Sequence, residues 1–585
     1  MEKTNTTPRT APNITAELDA MRRARDTLEN ITLPLETTEI DEHRALLKKT
    51  RTQLDDYVLP RLATLDAPLT VVVGGSTGAG KSTLVNTLLG QAITRSGAIR
   101  PTTRQPVLIH REEDAPALTP ERILPHLERI QTHDGKLVGA DPTLTDQIYT
   151  VQTQNIPAGI ALIDAPDVDS VSEDNRRLAK QLLSAADLWL FVTTANRYAD
   201  AVPWELLTEA AARDITIAVV LNRVPEGAEQ EIEEDLRHML QRAGITPAHL
   251  LTVNEQERDE QGMLSRMSIT PLIYWLSELG ANSEERTRIA QQTLEGAIRT
   301  AATRIEALAH AQEQQHDTAQ RLTYAVEDSY IQAVKNVIES TQDGALLRGE
   351  VLSRWQDFVG TGEFFRNIET SIGRLRDRVS GFFRGKPSQA IVVEQALEVG
   401  LHSVIVEQSA QAAENVQRRW NEERAGRALL AGEDLGKLPE DLPATVAEEI
   451  RQWQQDIMKM MTEEGAGKRQ RARFLSLGIN AAAVILMVAV FSMTGGLTGI
   501  EAGIAGGSGV VGTKLLEAVF GEDAVRRMAQ GARKNLELRI QKIFSEHATT
   551  FIQKIDENHL GAPTDEVQEA AHTVAQVAQQ LKRGR

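Results

Sequence analysis

The sequence predicts an α/β domain built on a doubly wound, mostly parallel sheet, joined to a long all-α domain that contains an apolar hairpin. Three observations lead to this fold class. Short apolar, β-branched runs alternate with helical segments between residues 67 and 275. Beyond about Asn282 these runs stop and apolar residues recur at helical spacing, and residues 474–497 carry no charge. Strands that alternate with helices are typical of a parallel sheet covered on both faces.

The α/β domain is predicted at residues 67–275 from the positions of its buried strands. Each strand is a short apolar run, which is the composition of parallel strands buried on both faces. The first run meets a cluster of glycines, and helical segments separate most of the others. The predicted strands are residues 69–73, 107–110, 160–163, 188–192 and 215–221.

Helices are predicted for most of the remaining chain. Residues 1–13 are rich in Thr and Pro and are expected to be disordered. Residues 14–66 have helical spacing with a break at Leu33-Pro34, and we expect them to pack with the helical region. Residues 282–470 are predicted to form a helical bundle or an extended stalk, and residues 521–585 form C-terminal helices. The helical seam steps through Leu294, Ile298, Ala301, Ile305 and Leu308, and again through Leu322, Val326, Ala333 and Val337.

An apolar membrane hairpin is predicted at residues 471–520. Residues 474–497 are long enough to cross a bilayer core of about 30 Å as a helix, whereas the Gly-rich residues 502–513 are too short for a second full span. Basic residues on both sides place both flanks in the cytoplasm, so the chain must return. A hairpin buried inside a large helical domain is the alternative. The basic residues are Lys468, Arg469, Arg471 and Arg473 before the hairpin, and Arg526, Arg527, Arg533 and Lys534 after it.

Composition limits the class of protein. The chain has 585 residues, more than a single core supports, and 41% of them are hydrophobic. The net charge of -18 argues against nucleic acid as a main partner, because phosphate neutralisation needs clustered Lys and Arg. The sequence contains no cysteine, which excludes disulfides and thiolate metal sites and fits a reducing cytoplasm. The N-terminus lacks the apolar core of a signal peptide, so we expect no secretion.

The motif that carries chemistry is Gly75-Ser76-Thr77-Gly78-Ala79-Gly80-Lys81-Ser82. A strand, a Gly-rich turn, Gly-Lys-Ser and a helix in this order indicate a phosphate-binding loop, or P-loop. Glycines let backbone N–H groups converge on phosphate, and the helix directs the positive end of its dipole at the same place. We expect Lys81 to reach the β- and γ-phosphates and the Ser82 hydroxyl to bind Mg²⁺. Thr83 completes the predicted nucleotide-binding segment.

Two further segments are candidates for the metal and the γ-phosphate. Asp164 follows the apolar run 160–163 at the carboxyl end of a predicted strand, where a metal-binding carboxylate of P-loop proteins is expected. Between the P-loop and Asp164 lies Arg100-Pro101-Thr102-Thr103-Arg104. Thr103, or else Thr102, can close on Mg²⁺ and the γ-phosphate, with a simple turn as the alternative. Ser82, Thr103 and Asp164 are therefore the predicted metal ligands.

The motif order GSTGAGKS, RPTT, DAPD and LNRV resembles that of the TRAFAC-type GTPases. Within them the chain is most similar to bacterial dynamin-like GTPases and a related actinobacterial-type family of large membrane-associated GTPases. The resemblance implies a GTPase that acts on GTP with Mg²⁺, with Lys81, Thr77 and Thr103 in catalysis. It also implies action at the cytoplasmic side of the cell membrane, and self-association or pairing with a paralogous GTPase. Switch-borne arginine fingers suggest, by analogy, a transition-state role for Arg100.

Three departures from the family pattern bear on these roles. Asp167 stands where the third GTPase motif usually ends in Gly, and a carboxylate there would repel the γ-phosphate unless it points away. In the guanine motif, Asn222 can bond the base and the Arg223 stem can cover its face, but Pro225 cannot accept the guanine N–H groups. Thr77 can orient the attacking water, whereas Gly78 has no side chain where the family has Ser. Preference for GTP is thus implied by the resemblance rather than by these residues.

Three classes of function are consistent with the sequence. The first is a nucleotide-driven mechanoenzyme that associates and acts at a membrane. The second is a soluble regulatory GTPase, for example one that acts on the ribosome, although the charge of -18 and the apolar run count against it. The third is a degenerate nucleotide-binding scaffold without turnover, which Asp167 and Pro225 keep open.

Overall fold

The structure is a computed structural model that describes residues 11–94, 106–132, 147–170, 173–342, 346, 350–359, 387–432, 434–464, 479–492, 514, 516–517 and 519–583. Its strands are β1 (Leu69–Gly75), β2 (Val107–His110), β3 (Glu128–Gln131), β4 (Gln147–Gln152), β5 (Ile160–Asp164), β6 (Leu188–Thr194), β7 (Thr216–Val224) and β8 (His249–Asn254). The helices before the long C-terminal region are α1 (Ala11–Glu29), α2 (Ile40–Gln53), α3 (Leu59–Ala63), α4 (Lys81–Leu89), α5 (Glu173–Ser184), α6 (Ala201–Ala212), α7 (Glu229–Arg242) and α8 (Thr270–Ala281). The helices that follow are α9 (Ser283–Gln342), α10 (Glu350–Val359), α11 (Pro387–Glu422), α12 (Arg424–Leu429), α13 (Leu442–Glu464), α14 (Ile479–Ser492), α15 (Glu522–Asp556) and α16 (Thr564–Arg583).

The eight described strands form one sheet in the order β3-β4-β2-β5-β1-β6-β7-β8. Neighbouring strands are parallel except for β2 and β5, which run antiparallel. Successive residues of β1 face opposite sides of the sheet, so Val72 joins the core on one face while Val71 and Val73 join the core on the other. The predicted doubly wound, mostly parallel sheet is confirmed. The central position of β1 between β5 and β6 brings the loops after all three strands to the same edge.

The chain divides into two compact units, each made of segments that are not consecutive in the sequence. One unit comprises residues 1–33, 39–314 and 561–585, and the other comprises residues 34–38 and 315–560. The sheet lies in the first unit, where α1 packs against α3 and α16. Helices from both ends of the chain therefore join the sheet domain, and α9 contributes residues to both units. Helical spacing reveals which residues are buried but not which partner covers them.

The N-terminal helices follow the predicted pattern, with a break between α1 and α2 around Leu33. Helix α1 begins at Ala11, inside the segment 1–13 that was expected to be disordered, while residues 1–10 lie outside the described part of the chain. The predicted seam of α9 is buried, including Leu294, Ile298 and Ile305. Its residues up to Leu308 pack in the core of the first unit, whereas Leu322, Val326, Ala333 and Val337 pack in the core of the second unit.

A buried polar cluster joins the N-terminal helices to the sheet within the first unit. The Asp187 carboxylate, just before β6, accepts hydrogen bonds from the Tyr57 hydroxyl at 2.9 Å and from the Thr70 backbone N–H at 2.8 Å. The Arg61 Nη2 atom lies 3.0 Å from the same carboxylate. The Thr293 hydroxyl donates to the Asp187 carbonyl at 2.9 Å, which adds α9 to the cluster. Burial raises the pKa of the Asp187 carboxyl, although Arg61 and the hydrogen bonds oppose that shift.

Of the predicted apolar hairpin, residues 471–520, the structure describes helix α14 and residues 514, 516–517 and 519–520. All residues from Ala482 to Phe491 are buried in the core of the second unit, where α14 contacts α11, α13 and α15. The rings of Trp453 and Phe491 lie 5.7 Å apart. Residues 465–478 and 493–513 lie outside the described residues, so the prediction of a membrane hairpin stays a prediction. Across the parts of the chain that the structure describes, no helix combines the length and the apolar character needed to cross a bilayer.

Candidate nucleotide-binding site

The P-loop connects β1 to α4 at the centre of the sheet. Gly75 has a φ of +152°, and a Cβ atom there would lie 2.0 Å from the Val192 carbonyl oxygen on β6. Gly80 has a φ of +94°, and its Cβ would lie 2.6 Å from the Asn222 amide nitrogen. Both positions therefore require glycine, because the backbone is left-handed or nearly so and a neighbouring strand approaches closely. The loop ends at Lys81, where α4 begins and directs its free N–H groups into the cradle.

Lys81 lies inside the cradle rather than on the surface, with 4% of its side chain exposed. Its ammonium donates to the Gly75 carbonyl at 3.1 Å and to the Ser76 carbonyl at 3.2 Å. Its third partner is the carboxylate of Asp167, with which it forms a buried ion pair. Because a buried charge is costly without a partner, these three acceptors hold the cation in the phosphate cradle.

Asp167 thus points into the site, which is the orientation that would repel the γ-phosphate if the carboxylate were unpaired. The backbone explains its position: the Ala165 and Val168 N–H groups donate to the Val73 and Gly75 carbonyls, so the segment after β5 runs beside the end of β1. This path brings Asp167 over Lys81. The structure pairs this carboxylate with Lys81, the cation that phosphates would bind.

Ser82 and Asp164 meet beside Lys81 as a candidate metal site. The Ser82 hydroxyl donates to Asp164 Oδ2 at 2.8 Å. Asp164 is fully buried, and its other oxygen, Oδ1, has no hydrogen-bond partner within the described residues. Burial raises the pKa of the Asp164 carboxyl to about 6, although the Ser82 hydrogen bond and Lys81 act in the opposite direction. A carboxylate oxygen that lacks a partner next to a serine hydroxyl fits Mg²⁺, which prefers oxygen ligands.

Thr94, in the segment after α4, is hydrogen-bonded to α4 near Ser82. The Asn86 side chain accepts from the Thr94 backbone N–H at 2.8 Å and donates to the Thr94 carbonyl at 2.8 Å. The Thr94 hydroxyl donates to the Ser82 carbonyl at 3.3 Å. These bonds hold Thr94 beside Ser82. Thr94 is also the last described residue before the predicted switch. Thr103, Thr102 and Arg100 lie outside the described residues, so their predicted roles stay predictions.

Thr77 carries a hydrogen-bond network that the sequence did not indicate. Asp169 Oδ1 accepts from the Thr77 backbone N–H at 2.6 Å and from its hydroxyl at 2.8 Å. Arg197 Nη2 donates to Asp169 Oδ2 at 2.7 Å, and Arg197 Nη1 donates to the Thr77 carbonyl at 2.8 Å. Burial tends to raise the pKa of Asp169, but the hydrogen bonds from Thr77 and the charge of Arg197 outweigh it and leave that pKa lowered.

The predicted base-reading residues, Asn222 and Arg223, lie at the end of β7. Asn222 is buried, and its amide donates to the Ala79 carbonyl at 2.9 Å while its oxygen accepts from the Arg223 N–H at 3.0 Å. Arg223 is half-buried and has a φ of +55°, which is uncommon for a residue with a side chain. In this structure, therefore, the Asn222 side chain that was predicted to bond the guanine base is hydrogen-bonded to the P-loop backbone.

The site residues predicted from the sequence and described in the structure are brought together here. The segment from Gly75 to Thr83, together with Asp164 and Asn222, surrounds the ends of β1, β5 and β7. No group of three or more His, Cys, Asp or Glu side chains in the described chain is arranged to hold a metal ion. A metal at Ser82 and Asp164 would therefore share its coordination with phosphate oxygens or water.

Comparisons with known proteins add independent information. Residues 71–224 match the model of the dynamin family. Over 163 residues the chain is 28% identical to a probable transmembrane GTPase, FZO-like and chloroplastic, of Arabidopsis thaliana; the alignment covers 28% of this chain and 15% of that protein. The chain thus spans less than a fifth of the length of this curated relative.

Two solved structures were also compared with the chain. The first, an oligomerised bacterial dynamin pair described as sensing and tethering membranes, aligns with 11% identity and a TM-score of 0.40 over 100% of this chain and 96% of its own. The second, Era in complex with MgGDPNP and a segment of ribosomal RNA, aligns with 15% identity and a TM-score of 0.23 over 36% of this chain and 56% of its own.

Proposed function

We propose that the protein binds and hydrolyses GTP and couples hydrolysis to self-association at the cytoplasmic side of a membrane, because residues 71–224 match the model of the dynamin family. The observation that carries this proposal is the buried group of Lys81, Ser82 and Asp164 at the carboxyl ends of β1 and β5. A triphosphate needs a cation, oxygen ligands for its metal and convergent N–H groups at one place. The start of α4 and the end of β5 together supply all three.

Each described residue of the site has a distinct role in the proposed reaction. Lys81 leaves Asp167 and neutralises charge on the β- and γ-phosphates. Ser82 and Asp164 hold Mg²⁺, which when bound supplies further charge neutralisation on the phosphate oxygens. Thr77 orients the attacking water. Thr103 and Arg100 keep the switch roles that the resemblance implies.

We expect the protein to prefer GTP over ATP by a modest factor. Pro225 cannot accept the two guanine N–H groups that a carboxylate would take, so part of the usual discrimination, of order 1–3 kcal/mol, is missing. Phosphate release and equilibrium titration should be measured with both nucleotides, in Mg²⁺ and in excess EDTA. Tighter binding of ATP than of GTP would overturn the guanine assignment. Equal rates in EDTA would overturn the metal assignment.

A nucleotide-binding scaffold without turnover is the second candidate. The ion pair between Lys81 and Asp167 favours it, because the cation needed for hydrolysis is already neutralised inside the protein. The same titration separates the two functions. Saturable GTP binding with no phosphate release above the buffer rate would support the scaffold and contradict the proposed enzyme.

The membrane part of the proposal rests on the apolar hairpin and on the name of the Arabidopsis relative, a transmembrane GTPase. Helix α14 has 14 residues and is about 21 Å long, short of the roughly 30 Å of a bilayer core. A span would therefore need residues on either side of α14. It would also need α14 to leave the core in which Ala482 to Phe491 are buried.

We expect the wild-type protein to float with anionic liposomes and to float less with zwitterionic ones. Arg526 and Arg527 lie near the start of α15 with exposed side chains, and each basic residue near an anionic surface adds about 1 kcal/mol. The variant R526E/R527E should therefore bind anionic liposomes at least about tenfold more weakly. R237E/R288E, which reverses two exposed arginines in the other unit, is the matched control. Wild-type protein that stays unbound with GTP, with GDP and without nucleotide would contradict membrane action.

A further inference from the structure

Thr77 is a half-buried residue of the P-loop whose hydroxyl contacts a carboxylate. Asp169 Oδ1 accepts from both the N–H and the hydroxyl of this residue, at 2.6 and 2.8 Å. A carboxylate can only accept hydrogen bonds, whereas a threonine hydroxyl has one donor and two lone pairs. Once its proton is directed at Asp169, the Thr77 oxygen can act towards any other neighbour only as an acceptor. A water that attacks phosphorus can be oriented by an oxygen that accepts a hydrogen bond from it.

Arg197 contacts both Asp169 and Thr77 and so completes this network. Its three donating nitrogens each have a partner: Nη2 donates to Asp169 Oδ2, Nη1 to the Thr77 carbonyl and Nε to Asp200 Oδ2, at 2.7, 2.8 and 2.7 Å. The guanidinium therefore bridges the carboxylate and the backbone of the residue that the carboxylate holds. A planar fork with fixed donors suits this arrangement, and a lysine could not reproduce it.

The sheet order explains how distant residues form the network. β1 lies between β5 and β6, so the loops that follow these two strands flank the P-loop. Asp169 lies five residues after the end of β5, and Arg197 lies three residues after the end of β6. The Arg197 N–H donates to the Thr194 carbonyl and the Asp200 N–H donates to the Arg197 carbonyl, so a tight turn directs Arg197 back over the loop.

A surface ion pair without function is the simpler explanation, and the burial argues against it. Exposed pairs contribute little, but the Asp169 side chain is 12% exposed and its carboxylate accepts three hydrogen bonds. Two of these come from one P-loop residue. A carboxylate next to the P-loop repels an anionic ligand. We therefore expect Asp169 to have a role that compensates for this repulsion.

We propose that Asp169 and Arg197 are positioning residues for hydrolysis: they fix Thr77 so that its hydroxyl oxygen presents a lone pair to the attacking water. This role rests on the proposed GTPase function. It assigns no proton transfer to Asp169 itself, because both its oxygens are engaged. The network predicts that Thr77, Asp169 and Arg197 act as one unit, so that losing any one of them costs about as much as losing all three.

The test compares single and combined variants in steady-state GTP hydrolysis. D169N, R197A and T77V should each lower kcat roughly 10- to 100-fold while changing KM and GDP affinity less than about threefold. T77S, which keeps the hydroxyl, should retain most of the activity, and R197K should stay close to R197A because it lacks the fork. The double variant T77V/D169N should be no slower than T77V. R177A, which breaks an exposed ion pair with Asp174 on α5, is the matched control and should match the wild type.

Each outcome of this test is decisive. Wild-type rates in D169N and R197A would overturn the positioning role and leave the proposed function intact. A T77V/D169N variant slower than T77V by the full D169N factor would overturn the common unit. A wild-type protein without any GTP turnover would contradict the proposed function and the positioning role together. Thermal unfolding of each variant shows whether a loss of rate reflects a loss of fold, and T77S and R197K, which change little volume, keep the test open if R197A does not fold.

Discussion

Replacing Lys81 with Ala should abolish hydrolysis, with kcat/KM lowered at least about 100-fold. Lys81 is the described P-loop cation, and its ammonium lies among the Gly75 and Ser76 carbonyls at the start of α4. Without it, charge that develops on the β- and γ-phosphates would face backbone dipoles and the metal alone. Phosphate release under single-turnover conditions measures the loss, and a fluorescent GTP analogue measures how much of it is lost affinity.

The control must separate lost catalysis from a damaged fold. K81A leaves the buried carboxylate of Asp167 without its ion pair, which is itself destabilising. The double variant K81A/D167N removes that stranded charge, so it should recover stability but not activity. K180A, an exposed lysine on α5, should behave like the wild type. Hydrolysis by K81A/D167N at the wild-type rate would show that this cation is not part of the site.

Replacing Asp187 with Ala should lower the free energy of unfolding of the first unit by about 3–5 kcal/mol. The change removes the partner of the Arg61 guanidinium, whose side chain is 7% exposed, and leaves a buried charge uncompensated. It also removes the acceptor of the Tyr57 hydroxyl and the Thr70 N–H. Urea titration followed by amide exchange in β1 and β6 would measure the loss where the cluster lies.

Two further variants show whether the ion pair is the cause. Y57F removes one hydrogen bond and should cost about 1 kcal/mol. R61M/D187L replaces both charges by apolar groups of similar size and should recover the part of the loss that comes from the unpaired guanidinium, while the Tyr57 hydroxyl and the Thr70 N–H still lack their acceptor. D174A, on the exposed face of α5, is the surface control. Equal stability of D187A and the wild type would mean that the cluster contributes nothing.

The sequence predicted the parts of the fold that local pattern determines. The strands β1, β2, β5, β6 and β7 are apolar runs at the centre of the sheet, and each was found within a few residues of its predicted ends. The strands β3, β4 and β8 were missed because they lie towards the edges of the sheet. The residues of β3, Glu128–Gln131, are half-buried or exposed and largely polar, so composition does not distinguish them from a loop.

The site was predictable where one segment carries the chemistry. The P-loop and Asp164 were identified because each has a characteristic neighbour in the chain, and the resemblance to dynamin-like GTPases is confirmed over residues 71–224. Asp169 and Arg197 were missed, because they lie 28 residues apart and meet through the strand order β5-β1-β6. The repeated aspartates in DAPDVD are a weak signal for them, since this short segment contains the predicted metal ligand Asp164 and the two aspartates, Asp167 and Asp169, that contact the P-loop.

The ion pair of Lys81 and Asp167 means that the cradle holds an anion of its own before any nucleotide arrives. An incoming triphosphate must therefore compete with the Asp167 carboxylate for Lys81. Its apparent affinity equals the intrinsic affinity multiplied by the fraction of molecules in which the carboxylate has already moved away. A weak anion such as free phosphate gains too little to displace a carboxylate held at high effective concentration by the chain itself, whereas a triphosphate offers several contacts at once. We therefore expect the site to select among anionic ligands by the number of contacts that each makes at once, rather than by charge alone.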